Sequence, residues 1–135
     1  MTAATTPEEV LSLFRQAWDA GDAEAYAQLF TEDATYVIFL GDILMGKDEI
    51  RRTHHDVFTK WQKGTKLLVK AVSTRQVDAD TVVLLTVGGI GVTEIVYDKF
   101  QTFVLVRREG RWLIAAFHNT EMSSRAKKRE QQGNA

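Results

Sequence analysis

The spacing of apolar residues is mainly helical in the first half of the chain and alternating from Lys66 onward. Val10, Phe14, Ala17 and Trp18 share one helical face. The start of that helix is written in Thr6-Pro7-Glu8-Glu9, with Thr6 as N-cap, Pro7 at the first helical position and Glu9 closing a capping box. Ala20-Gly21 ends it. Asp22 then caps a second helix carrying Tyr26, Leu29 and Phe30. Thr35 to Leu40, rich in β-branched and aromatic residues, predicts a short strand. Gly41-Asp42 marks a turn, and Gly46 precedes a third helix containing the adjacent pair His54-His55.

From Lys66 onward the pattern is that of strands. LLVKAVSTRQV, TVVLLTVGGIGV, KFQTFVLVR and RWLIAAFHNTEM follow one another, with Asp78-Ala79-Asp80 between the first two and Glu109-Gly110 as a tight hairpin turn between the last two. Gly88-Gly89-Ile90-Gly91 has no following Lys-Ser/Thr and no helix after it, so it reads as a bulge or sharp curvature rather than a phosphate loop. Helices segregated from a meander of strands define an α+β domain, with the sheet wrapped around the three N-terminal helices and the third helix across its mouth. One domain spans residues 1–122. Residues 123–135, SSRAKKREQQGNA, read as a charged tail, disordered or a frayed helix.

Composition narrows the function. With 135 residues and 44 % apolar content the chain can bury one substantial core. No cysteine is present, which removes disulfides, thiolate nucleophiles and cysteine-bound zinc. A net charge of −1 argues against nucleic acid as a partner. No apolar run is long enough for a membrane span, and MTAATTPEE lacks the form of a signal peptide, so a cytoplasmic protein is expected.

Several phrases carry a resemblance. They are Phe30-Thr31-Glu32-Asp33-Ala34, Gly46 before a helix, His54 followed by Val57-Phe58, Gln101-Thr102 with Val104-Leu105-Val106-Arg107, and Gly110-Arg111-Trp112 running to Ala115-Ala116-Phe117-His118-Asn119-Thr120. With this element order, residues 7–122 resemble the nuclear transport factor 2-like (SnoaL-like) superfamily, a cystatin-like α+β cone, and within it the SgcJ/EcaC branch, whose members include proteins of enediyne polyketide clusters. The resemblance implies a curved antiparallel or mixed sheet, an apolar pocket and a dimer. That branch often carries an oxidoreductase label, but no redox-cofactor motif is present. Two positions depart from the ketosteroid isomerases of the fold. Phe14 stands where their carbonyl-polarising tyrosine is, and Ile38 where their aspartate base is. Neither side chain can do that chemistry.

The histidine pair splits. On a helical wheel Ile50, His54, Val57, Phe58 and Trp61 occupy an arc of about 100°, with His54 near its centre and His55 at its boundary. The two cannot share a metal, because helical ligands need i,i+3 or i,i+4 spacing and Ile50, Phe58, Arg51 and Thr59 hold those places. No metal and no cofactor are expected. His54 is either a hydrogen-bonded core residue or a pocket group able to move a proton.

With Glu109-Gly110 as turn, Arg108 pairs with Arg111, Val106 with Leu113, Val104 with Ala115 and Thr102 with Phe117. The face carrying Thr102, Val104, Val106, Leu113, Ala115, Phe117 and Asn119 is the expected interior, with Thr102 and Asn119 at a polar mouth. A bulge would instead bring Gln101 or His118 inside. Asn119 either orients a ligand or satisfies backbone groups. Tyr36 should point inward with Ile38, although its hydroxyl could reach the surface, and Trp18 and Trp61 either wall the pocket or belong to the core. Asp33 is either a turn carboxylate or a partner that orients a histidine. On the opposite face Phe103, Leu105, Trp112 and Ile114 are too apolar to meet water, which predicts a homodimer through the sheet backs.

The expected function is a pocket for a hydrophobic, polyketide-like small molecule. His54 and Asn119 are the candidate catalytic pair and Trp18, Tyr36, Trp61, Thr102 and Phe117 the candidate binding residues. Isomerase, cyclase or hydratase chemistry without a cofactor is compatible. The alternative is a ligand-binding or dimerisation module without catalysis.

Overall fold

A computed structural model describes residues 3–133. The first helix, α1 (Pro7–Ala20), starts as its sequence directs. Thr6 is extended and its hydroxyl accepts the Glu9 amide, and Gly21, at φ 64°, closes the helix by donating to the Ala17 and Trp18 carbonyls. Its buried residues are Val10, Phe14, Ala17 and Trp18, the face read from periodicity. The second helix, α2 (Ala23–Ala27), is shorter than expected. Phe30 already opens the first strand, β1 (Phe30–Ile38), because Ile114 pairs with Phe30 and donates its amide to the Leu29 carbonyl. This long-range pairing overrides the local helical pattern. Phe39 and Leu40, expected in that strand, lie beyond it.

A strand absent from the expectation follows. β2 (Asp42–Met45) folds back on β1 as a hairpin, with Leu44 its one buried residue. The third helix, α3 (Lys47–Asp56), runs on into a π-helical turn over Val57–Trp61, where the Gln62 amide reaches the Val57 carbonyl. The long strands are β3 (Lys66–Asp78), β4 (Thr81–Gly91), β5 (Lys99–Arg108) and β6 (Arg111–Glu121). The six-stranded sheet has the order β2-β1-β6-β5-β4-β3, antiparallel except where β1 meets β6. α1 lies against both β3 and β6, so the sheet curls around it without closing.

One residue decides which side chains enter the core. The β5–β6 pairing runs as expected from the turn to Val106–Leu113 and Leu105–Ile114, then slips so that Val104 faces Ala116. Ala115 is the extra residue of a β-bulge, and the parity of β6 changes there. The interior therefore holds Phe103, Leu105, Trp112 and Ile114, none more than 6 % exposed, together with Phe117. Those first four were expected on the outer face. The back of the sheet carries Val83, Leu85, Val104, Val106 and Leu113 instead, partly exposed.

The glycine run marks a close approach. The segment 92–98 folds back over the end of β4, and the Asp98 amide donates to the Gly88 carbonyl. A Cβ on Gly89 would lie 1.9 Å from the Val96 carbonyl oxygen, and one on Gly91 2.4 Å from that of Glu94. Beyond β6 the charged tail forms a helix, α4 (Ser124–Gly133), tied down where Met122 and Ala126 pack on Val87, Tyr97 and Phe100. Where a disordered tail or frayed helix was expected, residues 124–133 form a helix that touches the body at Ala126; residues 134 and 135 lie outside the described part. Among the described residues no helix is long and apolar enough to cross a membrane.

Candidate functional site

The curl of the sheet leaves a cavity of about 260 Å³ between α1, α3 and the inner faces of β1, β5 and β6. Phe14, Trp18, Ile38, Leu67, Ile90 and Phe117 make it mostly apolar. Trp18 turns its ring to the cavity, while its Nε1 donates 3.0 Å away to the Thr65 hydroxyl. Phe14 and Ile38 both line the wall and contribute only hydrocarbon.

On one side a chain of three polar side chains meets this wall. The Tyr26 and Tyr36 hydroxyls are 2.7 Å apart, Tyr36 Oη is 3.1 Å from His54 Nε2, and His54 Nδ1 is 2.8 Å from the Ile50 carbonyl oxygen. The order of donors follows from the last bond. A carbonyl only accepts, so Nδ1 carries the proton and Nε2 accepts from Tyr36, whose oxygen in turn accepts from Tyr26. The helical period sets this up by placing His54 one turn after Ile50 on the buried face. His55, one residue on, is exposed, so the adjacent pair splits as the wheel predicts.

All three groups are held neutral. Burial lowers the His54 pKa from its ordinary 6.5 to about 4, against a smaller opposing effect of the hydrogen bond to Ile50. Burial likewise raises Tyr26 far above 10, with Tyr36 adding to the effect, and raises Tyr36 despite the hydrogen bond from Tyr26. At neutral pH this trio is neither a ready acid nor a ready base.

The second polar group lies on the β5–β6 pair. Gln101 and Asn119 sit opposite one another, and Gln101 Nε2 donates to Asn119 Oδ1 at 3.3 Å while Gln101 Oε1 accepts from the Thr86 hydroxyl at 2.7 Å. Lys99, two residues before Gln101 on the same face, completes the rim.

Of the residues expected at the site, Trp18, Tyr36, His54, Trp61, Phe117 and Asn119 all line the cavity. Trp61 does so at the rim and is 66 % exposed, because the π-turn adds a residue to the helical repeat and rotates it outward. Thr102 does not reach the cavity. Its neighbour Gln101 takes the inward position, and the register of β5 turns Thr102 to the back of the sheet. His118 is exposed. Asp33 is an exposed carboxylate that accepts from Thr31 and does not reach His54. Tyr26 and Lys99 were missed as site residues, and Gln101 was reached only through the alternative of a bulge. The phasing of Tyr26 on a capped helix was visible, whereas the other two depend on strand parity.

Fold and site together define a curled α+β cone with a mostly apolar cavity. The chain belongs to the SnoaL-like domain family, whose pattern residues 8–121 match. Among curated proteins, none matches the sequence. Solved structures share the fold. A domain of unknown function with a cystatin-like fold from Nostoc punctiforme is 25 % identical, with TM-score 0.80 over 93 % of this chain and 80 % of that one. An NTF-2 like protein of unknown function from Shewanella oneidensis is 16 % identical, with TM-score 0.73 over 84 % and 95 % of the two chains. A ketosteroid isomerase-like protein from Erwinia carotovora atroseptica is 17 % identical, with TM-score 0.69 over 86 % and 93 %.

Proposed function

We propose that the chain is a receptor for a compact, mostly apolar small molecule, which it binds in the cavity between α1, α3 and the sheet. One observation carries this reading: the cavity is vacant of the protein's own aromatics although Phe14, Trp18 and Phe117 stand at its wall. Its volume, about 260 Å³, is near the small end of ligand pockets. The likeness to the SgcJ/EcaC branch favours a polyketide-like ligand. His54 serves as architecture in this reading, since both its nitrogens are already engaged and burial keeps it neutral.

A second reading is supported by the continuity of Tyr26, Tyr36 and His54 with the cavity. In it the Tyr36 hydroxyl turns from His54 Nε2 to hydrogen-bond a ligand carbonyl, and the freed Nε2 takes a proton from the ligand or from an added water and returns it to another ligand atom, so that the chain ends unchanged. This would be isomerisation or water addition without a cofactor, the kind of chemistry that the likeness to an isomerase-like protein suggests.

Trp18 and Trp61 line the cavity, so their emission reports its filling. Titration with a medium-chain methyl ester, an aryl ketone and a polyene should give a saturable change with at least one of them, and Ile38→Phe, which fills the cavity, should abolish it. A flat response to every compound sinks the binding reading. Turnover of a bound compound that disappears in Tyr36→Phe would favour the second.

The back of the sheet is apolar and half-buried at Val83, Val104, Val106 and Leu113, with Leu85 38 % exposed. We take this face as the contact between two copies of the chain. Sedimentation equilibrium should report a dimer that Leu85→Glu converts to a monomer; a wild-type monomer at all concentrations removes the proposal.

A further inference from the structure

The polar groups left open at the cavity are donors. Asn119 makes one hydrogen bond, through its Oδ1, and its amide nitrogen has no partner among the described residues. Gln101 has its oxygen occupied by Thr86 and spends one of its two N–H groups on Asn119, which leaves the other. Lys99 lies at the mouth with its side chain only 12 % exposed, its ammonium 2.9 Å from Asp98 Oδ1 and 4.8 Å from the centre of the Phe39 ring. Asp98 takes one of its three N–H donors. Among the described residues no carboxylate lines the cavity, and Lys99 is its one lysine or arginine. On the far side Tyr36, His54 and Tyr26 have already satisfied one another.

We infer that the ligand is a compact apolar carboxylate, with its hydrocarbon between Phe14, Ile38 and Phe117 and its headgroup at Lys99, Asn119 and Gln101. This rests on the receptor reading above and supplies its ligand class. Lys99, Gln101 and Asn119 are adjacent positions of one antiparallel pair, on the same face as Phe103 and Phe117. They therefore form a short row of donors ending at solvent. A carboxylate placed there meets a cation and two amides, and a charge-assisted bond in a half-buried site is stronger than a neutral one. Asp98 is the opposing group. It meets Lys99 from the adjoining segment without lining the cavity, so it orients the ammonium and leaves the inner side open. An amine would face Lys99 with no acceptor to offset it, and an alcohol would gain only the neutral amides.

Four probes of equal chain length test this: octanoate, methyl octanoate, 1-octanol and octylamine, titrated into the wild-type chain by tryptophan emission at neutral pH. Octanoate is expected to bind roughly tenfold more tightly than the ester or the alcohol, with octylamine weakest. Lys99→Met should bring octanoate down to the level of the wild-type ester, while Lys99→Arg should retain most of the octanoate preference. An unchanged thermal unfolding midpoint shows that Lys99→Met still folds. Equal binding of octanoate, ester and alcohol, or an octanoate preference that survives Lys99→Met, overturns the carboxylate assignment and leaves the receptor reading intact. Failure of all four probes to bind overturns both.

Discussion

Acidification from pH 7 to pH 4 should cost the fold about 3 kcal/mol through His54 alone, with about 2 kcal/mol of it gone by pH 5. His54 titrates at about 4 in the folded chain and at 6.5 when unfolded. A base with a depressed folded pKa takes its proton more readily in the unfolded state. Its contribution is complete above pH 6.5, falls as the pH drops between 6.5 and 4, and is exhausted below the folded value. The groups packed on the ring are Trp18, Tyr26, Tyr36 and Phe58 with the Ile50 carbonyl, and none carries a charge that would hold an imidazolium. Most of the loss falls above the range where ordinary carboxylates titrate, which separates it from general acid unfolding. Urea midpoints across this range should show the slope in the wild-type chain and lose it in His54→Gln, which is less stable at every pH. In parallel the His54 Hε1 resonance should stay unmoved from pH 8 to about pH 6 and begin to move only below that. Movement with a midpoint near 6.5 would place the imidazole in water and would falsify the account of a buried, satisfied residue.

His54 was legible because it depends on few assumptions. Residues 47–56 keep the helical period, so the sequence phase that buries Ile50 also buries His54 and turns His55 outward. α1 was legible for a similar reason: Thr6, Pro7 and Gly21 each occupy the cap position their chemistry favours. The capping box is only half made, however, since Glu9 accepts from the Thr5 and Thr6 hydroxyls.

The strands were harder, and the reason is their period of two. A single inserted residue reverses every later side chain. The expected interior face was the wrong one on β5, so Thr102 was placed at the mouth where Gln101 stands. On β6 the bulge at Ala115 brought Phe117 and Asn119 inside although Leu113 lies on the back, so two errors cancelled for those positions. No residue at 115 or 116 signals the bulge, because both are alanine. Trp61 reaches the cavity only at its rim through a similar slip in a helix, a five-residue turn where 3.6 was assumed. β2 and the docking of α4 were unreadable because each is fixed by one or two buried side chains, Leu44 in the first case and Met122 with Ala126 in the second.

Gly89→Ala should destabilise the chain by about 3 kcal/mol or more, the largest effect expected of any single added methyl group. Its backbone is not in the left-handed region, so alanine meets no conformational objection there. The objection is steric. The new Cβ would stand 1.9 Å from the Val96 carbonyl oxygen and 3.2 Å from Asp98 Oδ1, and a backbone oxygen cannot swing aside as a side chain does. Segment 92–98 would have to lift. That movement would pull on the Asp98–Gly88 hydrogen bond, the Asp98–Lys99 ion pair and the packing of Tyr97 on the C-terminal cluster. The rim of the cavity and the seat of α4 are thus tied to one glycine. Gly64→Ala is the control. It has φ 80° and open space within 4 Å, so it should cost only about 1 kcal/mol, from backbone strain alone. Thermal or urea unfolding of the two variants should separate by a wide margin, and Gly89→Ala should also expose the amides of 122–130 to faster hydrogen exchange. Equal small losses in both would mean that segment 92–98 is not held against β4, and the placement of Lys99 at the cavity mouth would fall with it.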